Sequence, residues 1–374
     1  MLTATRKLAL RMLQRGIEVN SHLKVFCVVL AILTLTPVTH LSAHHGAAAH
    51  FDPDDLVTLD GVVTEMRFVN PHAFVHFDVT DESGEIAVWR CELTGATLLR
   101  RRGWTPETLV PGQRISLIGA KARREDHSCA VESMVFDDGT AVLGGDRIEG
   151  AELRSTVADT STMPPRSRYL GNGQPNLTGG WISREGGGLA GATDGRPEPS
   201  AAGQAASERF DFRFDNPVIS CRSGNIVIDW YRQSHVNDIQ QEEDRIVIRY
   251  GYLDMIRTVH LNTPEHPQDL APSVEGHSIG WWEGDALVVD TVGFVERVLI
   301  PRSEIMLSDQ AHIVERFHYD EASRTLSREF TVEDSLYLEK PYTGRNVSDI
   351  AADPYRVFNC VDLSGENNQR PDAR

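Results

Sequence analysis

The chain has 374 residues, more than one domain usually needs, so two domains are expected. Hydrophobic residues make up 40% and charged residues 24%, a globular composition that excludes a disordered chain. The formal net charge of −17 argues against nucleic acid as a partner, because a phosphate backbone repels an acidic surface unless one face is locally basic.

The chain opens with Arg6, Lys7, Arg11, Arg15 and Lys24, followed by an apolar run from Val25 to Leu35 that is short for a membrane span. Pro37 and the small residues of Leu41-Ser42-Ala43 come next, which is the layout of a secretory signal peptide over 1–43. The competing reading is a retained anchor helix. Cleavage there removes five basic residues and one acid, taking the charge from −17 to −21. A periplasmic or secreted protein with no stable membrane insertion follows. Export leaves Cys91, Cys129, Cys221 and Cys360, an even number that predicts two disulfides. Three pairings are open; the domain division favours Cys91–Cys129 and Cys221–Cys360.

Residues 44–145 carry short strands separated by turn signals, with Val57–Phe68, Ala73–Val79 and Ile86–Leu93 first. A helical stretch, Thr94–Arg102, precedes two more strands, Gln113–Ala122 and Ala130–Phe136. Three strands, a helix and two strands is the order of a small OB-like five-stranded barrel, in which the third and fifth strands are neighbours. Residues 146–207 are rich in Gly, Pro and Ala and read as a linker. Over 208–374 the strand pattern resumes, predicting an antiparallel β-barrel or curved sheet, lipocalin-like in architecture. The whole is all-β.

Charges on otherwise apolar strand faces are the informative signal. Alternation puts Arg257 with Met255 and Val259, Asp290 with Val288 and Val292, Glu315 with Ile313 and Phe317, and Arg328 with Leu326 and Phe330. An ion in a low-dielectric core costs several kcal/mol, so these four must pair with one another or line a wet pocket. As a pocket, Arg257 and Arg328 anchor a small, partly apolar ligand, with Trp281 and Trp282 as an aromatic wall. As an enzyme, His277, Asp290 and Glu315 supply acid/base chemistry for an isomerase, lyase or cyclase that needs no cofactor. As a structural device, the charges are a salt-bridge cluster closing the barrel.

Histidines near the front carry a further hypothesis. Processing after Ala43 exposes His44-His45, whose amine and imidazole chelate copper; processing after Ser42 gives a related arrangement, and after Ala49 removes the pair. His72 and His76 share one strand face, but four residues at ~3.3 Å put them roughly 13 Å apart, too far to share one ion without a bend. No GxSxG, HExxH, P-loop or dinucleotide fingerprint occurs.

Ala43-His44-His45-Gly46, Asn70-Pro71-His72 through His76-Phe77-Asp78-Val79, and Arg101-Arg102-Gly103-Trp104 together resemble a family of exported bacterial domains of unknown function, over residues 43 to about 142. Arg257–Leu261, Gly276-His277-Ser278-Ile279-Gly280 and Trp282–Thr291 resemble a second uncharacterised secreted group. These resemblances imply export and the domain division and lend no catalytic residue. The leading expectation is a binding protein with its ligand in the C-terminal barrel.

Overall fold

The computed structural model describes residues 50–362 except 145, 153–154, 185–195 and 233, and gives no side-chain description at 213, 219 and 302. The predicted signal peptide and the copper candidates His44 and His45 lie outside the described residues. Among the described residues no helix is long and apolar enough to cross a membrane.

Strands β1 (Phe51–Arg67), β2 (His72–Thr80), β3 (Ile86–Thr94), β4 (Arg114–Ala122) and β5 (Ser128–Phe136) run antiparallel in the order β3-β2-β1-β4-β5. A parallel pairing of β3 with β5 closes the ring. Alternation buries Ala73, Val75 and Phe77 of β2 and Trp89, Cys91 and Leu93 of β3 in one core. In the parallel register Cys91 stands opposite Cys129, and the two are bonded. Gly119 leaves room for that bridge, since a Cβ there would lie 2.5 Å from the Cys129 sulfur. Helix α1 (Ala96–Arg101) connects β3 to β4, and the short β6 (Ala141–Leu143) and β7 (Arg147–Ile148) extend the sheet beyond β5.

The second sheet is formed by β8 (Gly179–Ser183), β9 (Val236–Gln241), β10 (Arg245–Arg249), β11 (Ile256–His260), β12 (His277–Glu283) and β13 (Ala286–Val292). A two-stranded ribbon of β14 (Arg297–Ile300) and β15 (Ile305–Leu307) interrupts it before β16 (His312–Asp320), β17 (Thr325–Glu333) and β18 (Tyr342–Ile350). Nine strands close as β10-β11-β12-β13-β16-β17-β18-β8-β9. All pairs are antiparallel except β11–β12.

The stretch expected to be linker differs from its composition. It supplies β8, which pairs with β9 and β18, and helix α2 (Ala201–Ser207). Two more short helices follow, α3 (Phe212–Asp215) and α4 (Ile226–Trp230). Asn225 starts α4 by accepting from the amides of Val227 and Ile228, and its own side-chain amide donates to the carbonyls of Val298 and Leu299. Every residue of α4 is buried, and Ile226, Val227 and Trp230 belong to the barrel core.

The C-terminal segment ties the two sheets together. Cys360 is bonded to Cys221 across 139 residues. Asn70, after β1, donates through its side chain to the Phe358 carbonyl (2.6 Å), and its own carbonyl accepts from the Val361 amide (2.8 Å). Both disulfide pairings therefore follow the domain division that the sequence indicated.

Candidate functional site

Three of the four charges face the barrel core. Arg257, Glu315 and Arg328 are each 0% exposed. Arg328 Nε donates to Glu315 Oε1 at 2.6 Å, and Arg257 closes an ion pair on the other carboxylate oxygen. Arg257 also donates to the hydroxyls of Ser278 (2.8 Å), Thr291 (2.6 Å) and Tyr250 (3.3 Å). Arg328 donates to Asn346 (3.0 Å) and to the Val227 and Ile226 carbonyls of α4 (3.2 and 3.0 Å). Burial alone would raise the Glu315 pKa, but the two guanidiniums hold it below the usual carboxylate range. Both arginines are thus engaged by protein groups on all arms and present no face to a ligand. The expected anchors Arg257 and Arg328, and the expected acid/base Glu315, form a structural knot joining strands β11, β16 and β17 to α4.

Asp290 faces the other way. Leu287, Val289 and Thr291 take the inner face of β13, so Asp290 points outward, away from Glu315. Trp281 is also outward, 41% exposed and bonded to Glu283, whereas Trp282 packs against the core. Trp281 therefore lines no core surface beside Arg257.

On the outer surface Asp290 and His277 meet through a residue that strand parity does not reveal. His266, from the loop between β11 and β12, places Nδ1 2.8 Å from His277 Nδ1 and Nε2 3.2 Å from Asp290 Oδ1. His312 Nε2 reaches the same Asp290 oxygen at 3.0 Å, and its Nδ1 reaches Glu333 at 3.2 Å. His260 stacks on His277 with rings 5.2 Å apart and 13° from parallel. Burial, then the neighbouring His266 and His260, lower the His277 pKa below the ordinary imidazole value. The row crosses β11, β12, β13, β16 and β17.

A second polar locus lies where the two sheets meet. Arg100 and Arg101 end α1, and Arg356 comes from the C-terminal segment; with His235, Val357 and Phe358 they line a cavity of about 160 Å³. Among the described residues none of the three arginines has a hydrogen-bonded carboxylate partner; Arg100 stacks over Phe68 at 5.1 Å. Burial pushes the Arg101 pKa down to about 10 against the attraction of Asp353, and burial plus the Arg356 charge lower that of Arg100. Phe358, His235 and Tyr252 form an edge-to-face aromatic cluster beside them. Sequence reading singled out Arg101 only within a motif and passed over Arg100 and Arg356, because nothing local announces that position 356 returns to α1.

His72 and His76 do lie on the face opposite Ala73, Val75 and Phe77, as alternation predicts. His72 pairs with Glu92 at 2.7 Å. Among the described residues no group of three or more His, Cys, Asp or Glu is placed to hold one metal ion.

A search of curated proteins finds no match. The model of a family of unknown function (DUF6152) matches residues 33–130, which places the first sheet as far as β5 in likeness to that family.

Proposed function

We propose that this is an exported binding protein that holds a small, partly apolar anion in the cleft between its two sheets. One observation carries the reading: Arg100, Arg101 and Arg356 line one cavity together with the single carboxylate of Asp353, and among the described residues none of the three has a hydrogen-bonded carboxylate, in a chain whose net charge is −17. The Arg100 and Arg356 guanidiniums repel each other, and an oxyanion bound beside them relieves that repulsion while satisfying their N–H groups in pairs, with Arg101 lining the same cavity. Val357 and Phe358 supply apolar surface for the body of the ligand. Export is supported by the N-terminal layout and by two disulfides, which persist in oxidising compartments. The C-terminal motifs that resemble a second secreted group agree with it. The ligand-binding expectation is thereby kept and its place moved, from the barrel interior to the seam.

Calorimetric titration tests this with benzoate, hexanoate, inorganic phosphate and the neutral control benzyl alcohol. The carboxylates bind and the alcohol does not. The triple variant Arg100→Gln/Arg101→Gln/Arg356→Gln loses at least tenfold in affinity, and added salt weakens binding to the parent chain. Equal affinity in parent and triple variant, or no anion bound below millimolar concentration, overturns the proposal.

A further inference from the structure

We infer that His266 is an acid-released latch: near neutral pH it pins the loop between β11 and β12 to the outer face of the barrel, and protonation of both His266 and His277 frees that loop. The backbone fixes the two ends of the loop. The Leu261 amide donates to the Asp244 carbonyl (2.9 Å), and the Ser273 amide to that of Gly293 (3.0 Å). Between them, over 262–272, Pro264, Pro267 and Pro272 lack amide donors, and Leu270 lies against Gly293. Among the described residues, His266 makes the only hydrogen bonds from 262–272 to the barrel, one to His277 and one to Asp290. One side chain is thus the polar hold on eleven residues.

Proton accounting gives the hold its pH dependence. A carboxylate accepts, so Asp290 Oδ1, 3.2 Å from His266 Nε2, places a proton on Nε2 and leaves Nδ1 of neutral His266 as an acceptor. His277 then donates its Nδ1–H across the 2.8 Å contact. A first added proton goes to Nε2 of His277 and keeps this bond. A second can go only to Nδ1 of His266, which sets two N–H groups head-on, and the contact breaks. The released loop binds both protons without that conflict, so acid favours it. Of the groups facing the pair, His260 on β11 is stacked on His277 and opposes further positive charge. So does His312 on β16, which donates to Asp290 of β13 (3.0 Å) and Glu333 of β17 (3.2 Å) and is therefore an imidazolium. Asp290 favours charge on His266 but shares the same oxygen with His312, and Glu333 is taken up by His312. Glu265 and Asp269 lie on the loop itself. Burial, then His266 and His260, lower the His277 pKa, in the sense that the contact requires. The latch is independent of the arginine cleft.

NMR of the full chain at about pH 7.5 and about pH 5, on either side of the ordinary imidazole pKa, tests this with nitrogen-labelled histidines and labelled leucine methyls. At the higher pH a coupling between the two Nδ1 atoms reports the shared proton, and 262–272 is ordered. At the lower pH both Nδ1 atoms carry protons and the coupling is lost. Backbone order parameters over 262–272 then fall from about 0.85 to below about 0.6, and the Leu270 methyls gain mobility, while the amides of β12 and β13 stay in place. His277→Gln leaves the loop mobile at both pH values, whereas His72→Gln, on the first sheet, keeps the parent's response. Unchanged strand amides show each variant folded; should His277→Gln fail that check, His266→Gln takes its place. A loop equally ordered at both pH values in the parent overturns the inference, as does a pH response that persists in the histidine variant. Mobility that spreads through β12 and β13 at the same pH is unfolding of the barrel and overturns it equally.

Discussion

Asp229 offers the sharpest test of how the barrel core tolerates charge. It sits in α4, 1% exposed; one carboxylate oxygen accepts from the Gly224 amide (2.8 Å) and the other has no partner. Burial raises its pKa to about 7, against the opposing pull of Arg232, the Gly224 amide and Arg297. In the unfolded chain the same group titrates near 3.9. Between about pH 4 and pH 7 the native state therefore binds more protons than the unfolded one, and stability falls as pH rises through that window. At 1.36 kcal/mol per unit, the loss from acid to neutral pH is about 4 kcal/mol. Asp229→Asn removes this dependence, keeps an acceptor for Gly224, and buries an unpaired amide at a cost of about 1–3 kcal/mol. The parent has already lost about 1.5 kcal/mol by pH 5, so the variant is expected to be less stable than it by about 1.5 kcal/mol at most there, and more stable by about 1–3 kcal/mol at pH 8. Urea unfolding followed by tryptophan fluorescence at the two pH values measures both differences, with Trp230 as the neighbouring reporter. A variant destabilised equally at both refutes the reasoning. So does one destabilised more at pH 8, which means that Asp229 is ionised and paired with Arg297.

Removing Glu315 alone, as Glu315→Gln, leaves two guanidiniums in the core without their counter-charge and is expected to cost about 3–5 kcal/mol by urea titration. The concerted Arg257→Met/Glu315→Leu/Arg328→Met variant should recover most of that loss while anion affinity stays unchanged, because the knot is structural. A concerted variant that loses ligand would instead put function back into the barrel. Replacing Cys221 and Cys360 by serine frees a 139-residue loop, worth up to about 5 kcal/mol of loop entropy; the urea midpoint should fall and anion binding should weaken with it. Replacing Gly203 by Ala should lower the thermal midpoint, because a Cβ there would stand 2.2 Å from the Tyr337 carbonyl.

Much of the fold was legible because a period of two is hard to mistake. The alternating stretches Ala73–Val79 and Ile86–Leu93 lie within the observed β2 and β3, and the inner faces carrying Arg257, Glu315 and Arg328 have the parity that alternation predicts. Asp290 went to the wrong face because β13 is apolar on both sides: Val288 and Ala286 outside are as buried as Leu287 and Val289 inside, so alternation gave no contrast. β8 was hidden for another reason. Its five residues include two glycines and stand in a Gly- and Pro-rich stretch, and only pairing to β9 and β18 makes them a strand. α4 escaped because five residues buried all round show no amphipathic period. The two candidate sites were the least legible part. His266 lies in a loop, where no periodicity applies, and Arg356 lies 255 residues beyond Arg101, so both depend on tertiary return of the chain.

Charge by itself does not separate a structural group from a functional one in this molecule; the state of its partners does. Glu315 is fully buried, yet its two oxygens meet two arginines whose other arms end on hydroxyls, an amide and the carbonyls of α4. Such a network gains nothing from an added ligand and would lose hydrogen bonds to one. Arg100, Arg101 and Arg356 are less buried, and among the described residues none has a hydrogen-bonded carboxylate, Asp353 attracting Arg101 only through its charge. Their proximity is imposed from outside the cleft: Asn70 grips the chain at Phe358 and Val361, and Cys360 is fastened to Cys221, so residue 356 is held against α1 despite like charge. Cutting that tether should relax the arginines apart and cost anion affinity even where the sheets themselves stay folded. A cluster of like charges needs this kind of external restraint, so the proposed anion binding rests on the C-terminal segment and not on the barrel core.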